Sequence, residues 1–157
     1  FIENVLLSLP NHIKLYVVGA DPSARITKLA NQNSRVIVTG FVDDPYPSLR
    51  GAIANICPIQ MGGGIQNKVI EGLAIGALGL VSPLAADPMP EIENSGLIVC
   101  DEPNQWVQAI MEADANRKIY ESNRAIGRVY AQKHFSWESY IVAVKNSIDL
   151  ATINKGN

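Results

Sequence analysis

Cys57-Pro58-Ile59-Gln60-Met61-Gly62-Gly63-Gly64-Ile65-Gln66-Asn67-Lys68-Val69-Ile70-Glu71 is the segment around which the other 142 of the chain's 157 residues fall into place. Ahead of it, Ala54 to Ile59 reads as a buried apolar strand. Three glycines follow, then helical spacing from Ile65 to Ile75, closed by Gly76. A strand, a glycine loop and a helix start, in that order, make an anion site. Glycine lets backbone approach a ligand closely, and the unpaired N–H groups of a first helical turn point at it. Two better-defined phosphate loops are excluded. Counting from Gly62, Asn67 replaces the second glycine of the P-loop pattern, and Val69 replaces its magnesium-binding hydroxyl. Asn67 also breaks the Gly-x-Gly-x-x-Gly dinucleotide pattern that Gly62 and Gly64 begin. A strand-to-helix turn with no ligand is the other reading of the loop alone.

The following helix bears on that choice. Ile65, Val69, Ile70, Leu73 and Ala74 share one face at helical spacing and should pack on a sheet. Lys68 and Glu71 lie opposite, three residues apart and therefore neighbours. They read either as a surface ion pair or as a ligand pair. In the second case a cation lies near a phosphate and a carboxylate accepts from two sugar hydroxyls.

Elsewhere strands and helices alternate. Phe1 to Leu9 has the spacing of a short helix. Strands are expected at Lys14–Val18, Arg35–Thr39, Leu78–Ser82 and Leu97–Cys100. A helix carries Ile26, Leu29 and Ala30, with Pro22 in its first turn. Phe41 to Pro47 reads as a loop, Pro47 to Arg50 as one turn at most, and Asp87 to Pro90 as irregular. Pro103 opens a helix with Trp106, Val107, Ile110 and Met111 on one face. Another helix spans about Arg117 to Gln132. Ser136 suits the N-cap of a last helix, Trp137 to about Ile153, striped by Trp137, Ile141, Val144, Ile148 and Ala151. Short strands apolar on both faces argue for α/β architecture, a Rossmann-like parallel sheet flanked by helices. Ligands in such sheets bind outside the carboxyl ends of the strands, which is where the loops after Thr39, Ile59 and Ser82 lie.

Composition narrows the function. A net charge of −2 offers no basic footprint for nucleic acid. No apolar run reaches the length of a membrane span. Cys57 and Cys100 are too few for a disulfide framework or zinc site and read as reduced core residues, which suits the cytoplasm. The first residue is Phe1, so the true N-terminus is expected to lie upstream.

From Gly62 through Glu71, then Gly72-Leu73-Ala74-Ile75-Gly76, the chain resembles the donor-binding segment of family 4 (group 1) glycosyltransferases, retaining enzymes of the GT-B fold. It is most similar to the subgroup with a Gly-Gly-Ile-Gln-Asn-Lys loop. The resemblance covers nearly the whole of residues 1–157, as the C-terminal, nucleotide-sugar-binding half of a GT-B two-domain enzyme. It implies transfer of a glycosyl group, of the hexosyltransferase type, from a nucleotide-diphosphate sugar. That donor is a substrate, and neither a cofactor nor a metal is implied. Val36 to Asp44 is similar to the strand and loop that hold the nucleobase, with backbone near Val42 at the base edge and Phe41 as a wall. N–H groups of Gly63, Gly64 and Ile65 would face the sugar or its phosphates, and Glu71 would hold the ribose. The family's other paired glutamate falls at Gly63, a loss that the subgroup shares, and its Pro-Val is Gly79-Leu80 here. Phe135-Ser136-Trp137-Glu138 resembles the stretch before the closing helix.

The family's acceptor domain, a histidine, a first strand of this half and a basic pair have no counterpart in the chain. The resemblance therefore implies a fragment, inactive alone, with no identifiable catalytic residue and a gap at the centre of its sheet. Unpaired edges there would invite a dimer. The missing N-terminal domain would take a glycan or lipid-linked acceptor, and the full-length enzyme would work at the inner membrane face. An epimerase of the same fold and a non-catalytic nucleotide-binding module are the alternatives. His12 and His134 read as surface or capping residues, and Asp43-Asp44 as turn chemistry rather than a metal site. Asp87, Glu91 and Glu93 read as a solvated rim, and Trp106 and Trp137 as core anchors.

Overall fold

The computed structural model describes residues 1–142, 144 and 145. Its strands are β1 (Leu15–Val18), β2 (Val36–Gly40), β3 (Asn55–Cys57), β4 (Gly79–Val81) and β5 (Ile98–Val99). Its helices are α1 (Ala24–Gln32), α2 (Tyr46–Gly51), α3 (Asn67–Ala74), α4 (Pro83–Ala86), α5 (Pro103–Ala115) and α6 (Glu121–Phe135). β1 and β2 are parallel, with Leu15 opposite Val36, and slip by one residue between Val17 and Val18. β3, β4 and β5 form a second parallel ladder in which Ile56 faces Leu80 and Leu80 faces Ile98. The architecture is thus α/β with parallel strands between helices, as the alternating sequence implies.

Side-chain alternation along the strands sorts the apolar residues into two layers. Leu80, with Ile56 and Ile98 beside it, joins one core with Leu6, Ile13, Val36, Trp106 and Ile110. Their chain neighbours Cys57 and Val81 join the other core with Val69, Leu73, Tyr130 and Ala131. β1 contributes Leu15 and Val17 to the first core, so both ladders rest on it. On the other side α6 packs on α3. Gly127 makes this possible, because a Cβ there would stand 2.7 Å from Leu73 Cδ2.

Several elements differ from their sequence expectations. The first nine residues form turns around a 3-10 segment, Leu6–Ser8, rather than a helix. Ser23, not Pro22, sets the start of α1, since its hydroxyl accepts from the Ile26 N–H at 3.4 Å. α2 spans six residues, more than one turn. β3 is shorter than Ala54–Ile59 because the chain leaves the sheet after Cys57. α3 starts at Asn67 rather than Ile65, since Gly64 (φ 76°) and extended Gln66 delay it. Ile65 therefore stands exposed, and the buried face of α3 is Val69, Gly72 and Leu73, with Ala74 outside it. On α5 the buried face is Trp106, Ala109, Ile110 and Ala113, which leaves Met111 exposed. α6 begins at Glu121, four residues later than expected, after a turn at 117–120. Trp106 is a core residue, packed edge-to-face on Phe1, whereas Trp137 is 77% exposed. The closing helix is seen at 137–142 and 144–145, and the Ser136 hydroxyl caps it by accepting from Ser139 N–H at 3.2 Å. Its expected stripe is exposed at Trp137, Ile141 and Val144, while Ile148, Ala151 and the end near Ile153 lie outside the described residues.

Candidate functional site

The glycine loop leaves β3 at its carboxyl end and is held from below. The buried Ser82 hydroxyl, just past β4, donates to Ile59 C=O at 2.7 Å and lies 3.4 Å from Cys57 C=O. This fixes the strand exit that the loop springs from. Gly62 (φ 107°) and Gly64 (φ 76°) take backbone conformations that side chains resist. Gln66 then folds back, its side-chain amide donating to Gly64 C=O at 3.2 Å. Sequence reasoning missed both supports. Gln66 was visible as the only amide between loop and helix, whereas Ser82 gave no signal without its partners.

No N–H of Gly62, Gly63, Gly64 or Ile65 makes a hydrogen bond within the described residues. The first turn of α3 adds the N–H groups of Asn67 and Lys68, and Gln66 supplies no side-chain cap. These donors stand at the positive end of a helix, where negative charge is favoured.

Lys68 and Glu71 are exposed, and among the described residues no ion pair joins them. The ion-pair reading is therefore not realised, and both charges are open to a ligand. They line a cavity of about 910 Å³ that runs between β1 and β3. Burial raises the Cys57 thiol above its ordinary value, while the Lys68 ammonium and a backbone hydrogen bond at Ile59 pull it back. Gly62, Gly63, Gly64, Ile65, Phe41 and Val42 do not line that cavity. Phe41 stands 76% exposed at the carboxyl end of β2. Val42 beside it is half-buried. The structure thus brings Lys68 and Glu71 together, sets the glycine loop directly before them, and leaves the Phe41–Val42 pair on the neighbouring ladder.

Other candidates resolve into structural roles. Asp44 caps the turn into α2, accepting from Tyr46 N–H at 2.9 Å. His12 pairs with Asp114 at 2.7 Å on the surface. His134 is not a surface residue: its side chain is 13% exposed, packed on Tyr130, and its Nε2 has no hydrogen-bond partner. It is half-buried, between the rings of Tyr130 and Phe135 on a helix that runs to Phe135. Arg117 and Arg124 are occupied by carbonyls of the turn into β3, at Gly51, Ala52 and Ile53. Cys57 and Cys100 are unpaired and buried. Asp87, Glu91 and Glu93 are exposed. Among the described residues no cluster of three metal-ligating side chains occurs, and no helix is long and apolar enough to cross a membrane.

A family model described as "Glycosyl transferases group 1" matches residues 1–116, from the first turn to the end of α5. No curated protein matches the chain.

Proposed function

The chain belongs to the group 1 glycosyl transferases, and from that premise we propose that it binds a nucleotide-diphosphate sugar and presents it for glycosyl transfer. The observation that carries this reading is the row of N–H groups from Gly62 to Lys68, which find no partner among the described residues, with Lys68 and Glu71 in no ion pair among those residues beside them. The diphosphate sits at the start of α3. As the bond from sugar to diphosphate breaks, negative charge grows on the departing oxygens. Fixed N–H donors and the Lys68 ammonium stabilise that charge without reorganising. The Glu71 carboxylate accepts from the two ribose hydroxyls, for which it has lone pairs in excess. Phe41 and the backbone at Val42 flank the base from the end of β2. No side chain near the loop is a plausible nucleophile, so this chain's part is to hold the donor and stabilise the leaving group. Retention of configuration, and an acceptor (a glycan or a lipid-linked sugar) taken by a further domain, complete the proposal. Two unpaired thiols suit a reducing compartment.

Titration with UDP-, GDP- and ADP-sugars by ligand-observed NMR tests it, with Glu71→Ala alongside. One nucleotide class is expected to bind selectively. The variant should weaken it by about 10- to 100-fold, as befits the loss of a charged hydrogen-bonding group. Equal affinity of the two proteins would remove Glu71 from the ribose.

A further inference from the structure

Gln66 stands where the glycine loop becomes α3, and its side chain can serve only one of them at a time. It is the N-cap of α3, with an extended backbone (φ −90°, ψ 105°). From that position a side-chain oxygen usually accepts the N–H of the second or third helical residue, here Lys68 or Val69. Gln66 makes no such cap. Its side-chain amide turns back and donates to Gly64 C=O at 3.2 Å. The main chain of Gln66 is meanwhile tied to the helix. Its carbonyl accepts from Val69 N–H at 2.8 Å and from Ile70 N–H at 3.4 Å. One side chain thus links the first turn of α3 to the peptide that joins Gly64 to Ile65.

The link sets a direction as well as a position. A peptide unit is planar and trans, so its C=O and N–H point opposite ways. Holding Gly64 C=O therefore turns the Ile65 N–H away from the Gln66 amide. Gly64 lies at φ 76°, and nothing stands within 4 Å of where its Cβ would be. With neither a Cβ nor a neighbour to restrain it, this peptide would rock without the latch. Its carbonyl and its N–H would then face a bound anion by turns. The absent cap matters equally. Val69 N–H is engaged by Gln66 C=O, so Lys68 N–H is the donor that a capping oxygen would take, and it finds no partner among the described residues. We propose that Gln66 is the positioning residue of this site. By latching Gly64 instead of capping α3, it aims the Ile65 N–H and keeps the Lys68 N–H open for the diphosphate, a role that rests on the nucleotide-sugar reading above. Capping and anion binding make opposite demands on position 66. A serine there would hold the helix more firmly and occupy one of the donors.

The test uses the whole chain, with inorganic pyrophosphate as the probe. Gln60→Ala, which removes an exposed amide earlier in the loop, is the control. Residual dipolar couplings of the backbone amides read N–H direction with no ligand present. In Gln66→Ala the Ile65 coupling should depart from its wild-type value while those of Val69 and Leu73 keep theirs. Pyrophosphate affinity, followed through the loop amide shifts, should weaken by about 3- to 10-fold, the range of one neutral hydrogen bond. Gln66→Ser should weaken it at least as much, with a melting temperature equal to or above that of the wild type. A purely structural role would instead move affinity and melting temperature in the same direction. An Ile65 coupling that is equal in the wild type and Gln66→Ala overturns the proposal. So does pyrophosphate affinity that survives both substitutions, or that falls as far in Gln60→Ala. The two readings fail differently. Wild-type loop amides that ignore pyrophosphate overturn the anion site and the role of Gln66 with it, whereas a responsive loop with an unchanged Ile65 coupling overturns the role of Gln66 alone.

Discussion

Replacing Gly96 by alanine tests how α6 is anchored, and Gly40→Ala supplies the matched control. The two glycines have nearly the same backbone, φ 71° at Gly96 and φ 69° at Gly40. A side chain in this left-handed region costs about 1–2 kcal/mol at either place. Loss of glycine freedom in the unfolded chain returns about 0.4–1 kcal/mol at both. The surroundings differ. At Gly40 a Cβ meets nothing within 4 Å, whereas at Gly96 it lies 2.3 Å from the Asn123 carbonyl oxygen and 3.0 Å from the Gly127 nitrogen. Those atoms are backbone of α6, so the whole helix must retreat, and overpacking of this kind costs about 1–3 kcal/mol more. Gly40→Ala should thus destabilise by about 1 kcal/mol and Gly96→Ala by about 2–4 kcal/mol. Urea unfolding measures both as shifts in midpoint at constant slope. A difference between them below about 0.5 kcal/mol, within the usual scatter of surface substitutions, would refute the tight seating of α6 against residues 95–97. Because α6 packs on Leu73 of α3, the same variant should loosen the first turn of α3, visible as faster exchange at Val69 and Ile70, whose N–H groups bond Gln66 C=O.

Ser82→Ala removes the hydroxyl that holds Ile59, and should cost about 1 kcal/mol and lower the backbone NMR order parameters of Gly62–Ile65; unchanged order parameters would free the loop from that support. Burial pushes the Cys100 thiol from 9.0 up to about 11. The folded state therefore favours the protonated thiol, so stability is full below the ordinary value and falls as pH rises from about 9 toward 11. Cys100→Ala should flatten that decline in thermal melts, and an unchanged slope would acquit the thiol.

The sequence made the two faces of the helix at the candidate site legible further than its boundaries, and α3 explains why. Helical period alone placed Val69 and Leu73 inward and Lys68 and Glu71 outward, and that division holds because it needs only the 3.6-residue repeat. Where the helix begins is another matter. Ile65 fits the same repeat, but the positive φ of Gly64 and extended Gln66 start the helix at Asn67 and leave Ile65 in solvent. Glycine permits such a backbone without announcing it, so a pattern of apolar residues cannot see the boundary. The same limit hid Gly72, which is buried because the Asn55 amide stands 3.0 Å from where its Cβ would be, a contact between residues far apart in the chain. Met111 and Trp137 were assigned to cores on their apolarity, but burial depends on which face a helix offers to a neighbour. Ala109 and Ala113, too small to draw notice, occupy the face of α5 that meets the core. The parallel α/β order was readable because strand and helix periods alternate over the whole length. That β1 and β3 stand apart is a statement about pairing, and pairing appears in a sequence only through the strand that should lie between them. Tyr16, Val18 and Ile56 line the same cavity as Lys68 and Glu71, so the gap in pairing and the charged side of α3 border one space, which no periodicity in the sequence could join.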